Sequence, residues 1–360
     1  MLFKTLRAFT RAPFTGLRHA TMVAAIALAA APAAAEDLIK LRLQTVGLNA
    51  STFPDMYART HDLYRKHGLD VEFLPPIFNA AGALQMVIQG DADVSYSGGS
   101  GALQAAQQGR DVQIFGIVLE GLELSVSLTP SGQEKAAGVA EEAPFEEKVA
   151  ALKGMIIASA ATGSSVHMML RYSLKKYGLD PEVDVQIQPM ADVQTSLAAL
   201  RQGVVDGVSG TGSSTIGPAE AEGLTKRLLS FEKNDELLRA YPTYSLIASS
   251  EFLKNNPEAA KRLLAVFAET KAAIRAGISD EEIERIRAEH LPDMKFEALK
   301  SGLASSLPLI QGPMAPRSIN FDALIVTANA VAETPFTVTQ EQLMFPDLAV
   351  EVDKETGVGN

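Results

Sequence analysis

Four short stretches hold the polar side chains whose spacing could do chemistry: Asn49-Ala50-Ser51-Thr52-Phe53, Ser97-Gly98-Gly99-Ser100-Gly101, Thr162-Gly163-Ser164-Ser165 and Gly210-Thr211-Gly212-Ser213-Ser214. Each follows a short apolar run and precedes a segment of helical spacing, so each reads as a strand-to-helix loop. None contains Lys, Arg, Asp or Glu. What they offer is hydroxyl groups, an amide, and backbone N–H groups at helix N-termini, which carry partial positive charge. That set suits a small singly charged anion with several oxygens, or a polar neutral ring stacked on Phe53. The candidate binding residues are therefore Asn49, Ser51, Thr52, Phe53, Ser97, Gly98, Gly99, Ser100, Thr162, Gly163, Ser164, Ser165, Gly210 and Thr211. Ser164 fits two roles, helix cap and ligand contact. Glu120, beyond the fourth strand, could accept from a donor on the ligand or serve as a solvated hinge acid.

Catalytic, metal and cofactor chemistry find little support. There are five His and no Cys, which removes thiolates, iron–sulfur clusters and Cys zinc sites. His61, His67, His167 and His290 lack metal-ligand spacing. Gly210-Thr211-Gly212-Ser213-Ser214-Thr215 is a partial dinucleotide fingerprint whose third glycine is Thr215. Ser100 and Ser209 do not complete a nucleophile elbow. We expect no catalytic residue, no metal, no cofactor and no enzyme.

The elements that must position these loops begin after an N-terminal segment of a different kind. Lys4, Arg7, Arg11 and Arg18 precede the apolar run Met22 to Ala31, which ends in Ala33-Ala34-Ala35. This is the pattern of a secretory signal peptide spanning residues 1–35, cleaved near Ala35. Removing it takes four of the 32 basic residues, leaving 28 against 43 acidic ones, net −15. Such a charge disfavours nucleic acid and anionic membrane surfaces as partners. No later segment is long, apolar and uncharged, so neither membrane insertion nor anything but a soluble mature chain is expected.

Strands are expected at Leu38 to Val46, Val71 to Leu74, Val94 to Tyr96, Val112 to Leu119 and Leu124 to Leu128, with helices over Asp55 to His67, Gly82 to Gln89 and Ala102 to Gln108. Alternation of this kind predicts an α/β fold with a parallel sheet covered on both faces. Thr129 to Ala150, rich in Ala, Gly and Glu, reads as a surface excursion with one short helix, at a domain boundary. The plan then repeats. Lys66-His67-Gly68-Leu69-Asp70 matches Lys176-Tyr177-Gly178-Leu179-Asp180, and Gln89-Gly90-Asp91-Ala92-Asp93 matches Gln202-Gly203-Val204-Val205-Asp206. The offsets, 110 (66 to 176) and 113 (89 to 202), imply two lobes of one plan. Met155 to Ala158 and Leu224 to Phe231 are strands of the second lobe. Tyr241 to Ala248 is a return strand to the first, and helices follow from Ser250 to a frayed tail at Asp353 to Asn360. The expected organisation is lobe 1 over 36–125, lobe 2 over 126–242, and lobe 1 again, with C-terminal helices, over 243–360.

Together these pieces resemble the nitrate/sulfonate/taurine-type substrate-binding proteins of ABC importers. The resemblance is carried by Gly68-Leu69-Asp70-Val71-Glu72, Gly90-Asp91-Ala92-Asp93-Val94, Leu152-Lys153-Gly154, Gly163-Ser164-Ser165, Lys176 to Pro181, Ala199-Leu200 with Gly203 to Asp206, and Asn256-Pro257-Glu258. It implies a two-lobed periplasmic-binding-protein type 2 architecture with two crossovers and a helical C-terminal region. It further implies a periplasmic monomer that closes on a small ligand and docks on an ABC permease in the inner membrane. Asn49, Thr52, Ser97, Gly98, Thr162, Ser164 and Thr211 are expected near the cleft. The best ligand guess is an alkanesulfonate or similar small oxyanion. Alternatives are an aromatic carboxylate or pyrimidine receptor, a pyrimidine-forming enzyme on the same fold, and a sensor docking on a signalling receptor. The chain departs from the pattern in the long 129–150 segment and in lacking basic or aromatic neighbours after Ser165.

Overall fold

The computed structural model describes residues 38–77 and 80–357. The expected signal peptide lies outside the described residues. Among the described residues, ten strands form two five-stranded sheets within one compact unit. In chain order they are β1 (Ile39–Thr45), β2 (Leu69–Phe73), β3 (Val94–Ser97), β4 (Gln113–Glu120), β5 (Ser125–Leu128), β6 (Ile156–Ser159), β7 (Gln186–Pro189), β8 (Gly207–Gly210), β9 (Lys226–Ser230) and β10 (Pro242–Ala248).

The first sheet runs β2-β1-β3-β10-β4 and the second β7-β6-β8-β5-β9. These are the same order. In each, one strand lies parallel to both of its neighbours, β1 in the first sheet and β6 in the second. In each, the strand that has just arrived from the other lobe is inserted antiparallel, β10 in the first sheet and β5 in the second. The internal repeat is therefore a repeat of topology. The expected all-parallel sheet gives way to a mixed one, because a strand entering from the opposite lobe needs no covering crossover helix and can pair antiparallel.

The lobe change lies earlier than the 129–150 segment. The chain leaves the first sheet at Glu120 and is already paired in the second at Ser125. The 129–150 segment is an excursion within the second lobe and holds two short helices, Pro130–Lys135 and Phe145–Ala150. The expected single helix over Asp55 to His67 is two, Phe53–Thr60 and Leu63–Lys66. Asp62, left-handed at φ 52°, breaks it, a conformation that costs most L-residues but is visited by Asp. Asp55 is fully buried there and accepts from Arg59 Nη2 and the Tyr64 hydroxyl, each at 2.6 Å.

The C-terminal helices cover the first lobe. Pro257–Ala276 is 20 residues long and buries Leu263, Leu264, Val266 and Phe267 at full depth. Each such side chain contributes roughly 1.5–3 kcal/mol of burial. The tail is not frayed at Asp353: helix Asp347–Thr356 runs through it, and the Asp353 carboxylate accepts from Met314 N (2.9 Å) and Ala315 N (2.8 Å).

Candidate functional site

All four polar loops leave the carboxyl ends of parallel strands: β1, β3, β6 and β8. That is where open α/β sheets hold ligands. After β1, Asn49 caps a short 3-10 turn, its side chain accepting from Ser51 N at 2.8 Å while Thr52 Oγ1 accepts from Asn49 N at 2.9 Å. After β3, Gly98 precedes helix Gly99–Gln107 and supplies no side-chain cap. Gly99 must be glycine, because a Cβ there would sit 2.9 Å from Pro242 O on β10. After β6, Ser164 Oγ accepts from His167 N at 3.2 Å and caps helix Ser165–Lys176. After β8, Thr211 Oγ1 lies 2.8 Å from Ser214 Oγ and starts the π-helical turn Gly212–Ile216.

The loops meet around one cleft of about 680 Å³, within the range of small-molecule sites. Its lining includes Asn49, Ser51, Gly98, Ser100, Thr162, Gly163, Ser164, Ser165 and Thr211. The lobes touch across it: Ser100 Oγ lies 2.8 Å from Ser165 Oγ, and Ser51 Oγ 3.5 Å from Ser213 Oγ.

Residues 49–276, spanning all four loops, match the family model described as NMT1/THI5 like. The chain belongs to this family. No curated protein matches it. Three solved structures share this fold. The periplasmic aliphatic sulphonate-binding protein SsuA of Escherichia coli is 18% identical with a TM-score of 0.66, over 87% of this chain and 99% of that one. The nitrate-binding protein NrtA of Synechocystis PCC 6803 is 15% identical with a TM-score of 0.62, over 89% of each chain. The alkanesulfonate-binding SsuA of Xanthomonas axonopodis pv. citri, bound to MOPS, is 17% identical with a TM-score of 0.59, over 81% of this chain and 92% of that one. The chain has the two-lobed architecture of these proteins.

Within this NMT1/THI5-like fold, several candidate residues serve structure instead of the cleft. Phe53 is 0% exposed in the first core, so no ring can stack on it. Thr52, also 0% exposed, is spent in the capping box with Asn49. Ser97 is buried and accepts from Ser95 Oγ at 2.8 Å. Gly99 backs onto β10, and Gly210 is paired with Ser125 inside the second sheet. Glu120 turns away from the cleft to the C-terminal segment, accepting from Arg317 and from Asn320 Nδ2 at 2.7 Å.

Further contributors lie outside the loops. Glu123, three residues beyond Glu120, is the one charged residue among the described residues lining the cleft. Its carboxylate accepts from Gly212 N at 3.2 Å and from Arg227 at 2.9 Å, so its charge is compensated. The buried Tyr241 hydroxyl joins Ser100 and Ser165; burial pushes the phenol up, and the two serine hydrogen bonds pull it part-way back. Tyr244 lines the cleft and bonds Asn49; burial raises it and that bond offsets part of the rise. Ser305 and Leu309 come from the C-terminal helices. An exposed-looking acid after Gly121 was the available signal for Glu123. Nothing local marks Tyr241 or Ser305.

The four described histidines stay out of the cleft lining. His61, His67 and His290 meet Glu282, Glu269 and Thr60. His167 is 6% exposed with Nδ1 unpartnered; burial first, then Arg171, lowers its pKa.

Proposed function

We propose that this chain is an extracytoplasmic solute-binding protein that closes on a small ligand and delivers it to an ABC permease. The observation that carries the reading is the convergence of four strand-to-helix loops, two from each lobe, on one cleft. The ligand best suited to it is an alkanesulfonate or similar small oxyanion. Its oxygens would meet hydroxyls of Ser51, Thr162, Ser164 and Thr211 and the first-turn N–H groups of helices Gly99–Gln107 and Ser165–Lys176, which lack intrahelical acceptors. A short apolar body would lie on Leu84, Ile88, Ala105 and Val166, which line the same cleft. No Lys or Arg is among the described lining residues. Recognition by dipoles and hydroxyls therefore favours a single negative charge.

Closure turns on the two crossovers, between Glu120 and Ser125 and between Ser230 and Pro242. A ligand bridging both lobes favours the closed state only through contacts missing in the open one. A receptor is favoured over an enzyme because Glu123 and Tyr244 are the only titratable side chains among the described lining residues. The mature chain acts in the periplasm as a monomer, after cleavage near Ala35.

A thermal-shift screen of refolded mature protein against sulfonates, nitrate, aromatic carboxylates and pyrimidines tests this. A ligand at a hundred times its dissociation constant stabilises by about 2.7 kcal/mol. A sulfonate response that disappears in Ser164→Ala supports the reading. Silence across the panel removes the ligand class, and turnover of a panel member removes the receptor.

A further inference from the structure

A second cavity, of about 280 Å³, lies in the second lobe between the 129–150 excursion and strand β9, which is at the edge of its sheet. Its apolar surface comes from Leu128, Ala136, Ala137, Val139 and Leu228. Three cations line it, Lys148, Lys226 and Arg227, against the single acid Glu141. This is an unusual concentration of positive charge in a chain of net −11. Arg227 is already held by Glu123 and Glu220. The two lysines are not so committed. Lys148 Nζ donates to the backbone oxygen of Glu141 at 2.5 Å, and Lys226 Nζ lies 3.3 Å from the Glu141 carboxylate. That second pair is exposed, 66% and 80%, and surface pairs of this kind are worth about 0–1 kcal/mol. Both ammonium groups thus meet around Glu141 at the cavity, and its carboxylate is easily displaced.

We propose that this cavity binds a small organic carboxylate, its anionic end between Lys148 and Lys226 and its apolar body on Ala136, Val139 and Leu228. The site shares no lining residue with the cleft and stands independently of the function proposed for it. The test is titration of isotopically labelled mature protein with benzoate, followed by amide chemical shifts, with neutral benzamide as the control. Benzoate is expected to move the amides of Ala136, Ala137, Val139 and Leu228, and benzamide to leave them. In Lys148→Gln/Lys226→Gln the affinity should fall about tenfold or more, and Lys148→Arg/Lys226→Arg should keep it. Equal melting temperatures for the variants establish that they fold. Equal responses to benzoate and benzamide, a benzoate response confined to the cleft amides of Gly98, Ser100 and Thr162, or full affinity in the glutamine variant would overturn the proposal.

Discussion

The first lobe packs its sheet beneath helix Pro257–Ala276 and helix Asp347–Thr356, with Tyr64, Tyr96, Phe115 and Phe267 all buried in one core. The second, built on the same strand order, has on one face only a small cluster around Ala158, Met190, Leu197 and Val208. Its other face shares a core with the first lobe through Leu122, Leu124 and Val126. Identical topology therefore does not mean identical anchoring. The C-terminal helices make the first lobe the heavier body, and the second is tied to it through the crossovers, the shared core and the cleft hydroxyls.

The two lobes should differ most at their buried acids. Asp55 is fully enclosed, and Arg59 would be left without its carboxylate in Asp55→Ala. That should cost about 3–5 kcal/mol, seen as a lower denaturant midpoint. In the second lobe Asp206 accepts from Lys135 at 2.7 Å and from Ile156 N at 2.9 Å, but the Lys135 side chain is 50% exposed and can return to water. Asp206→Ala should therefore cost less, about 1–3 kcal/mol. Equal losses would mean the two lobes are anchored alike.

A pH dependence should also belong to the first lobe. Lys271, fully buried with its ammonium on Ile117 O at 3.2 Å, is pushed by burial, then by Arg275, from 10.5 down to about 7. Between those values the unfolded chain binds more protons than the folded one. Stability should rise as pH climbs from about 7 towards 10.5, by at most about 1.4 kcal/mol per unit. Denaturation curves of Lys271→Met should lose this rise; an unchanged slope would assign it elsewhere. The smallest effect is expected at Ser164→Ala, about 1 kcal/mol from the lost helix cap, read as a small drop in melting temperature without ligand.

Most of the strands and the four loops were legible because they rest on local signals. Apolar runs of four to eight residues mark the strands, and Gly68, Gly90, Gly178 and Gly203, all at positive φ, mark the turns. Direction within the sheets was not legible, since antiparallel insertion of β5 and β10 depends on a partner about eighty residues or more away. Nor was the choice between Glu120 and Glu123. Arg317 and Asn320, contributed by the distant C-terminal region, take the first and leave the second to the cleft. Phe53 misled for a similar reason: its place after a polar loop suggested exposure, while Pro54 and the start of a helix turned it into the core.

The central claim is that one ligand is held by both lobes. Isothermal titration of ethanesulfonate into mature protein, Ser51→Ala and Thr162→Ala tests it most directly, because these hydroxyls line the cleft from opposite lobes and neither side chain caps a helix. Binding to the wild type and a loss of about tenfold in each variant are expected. Loss in only one variant would contradict bridging, and absence of binding to the wild type would contradict the sulfonate assignment.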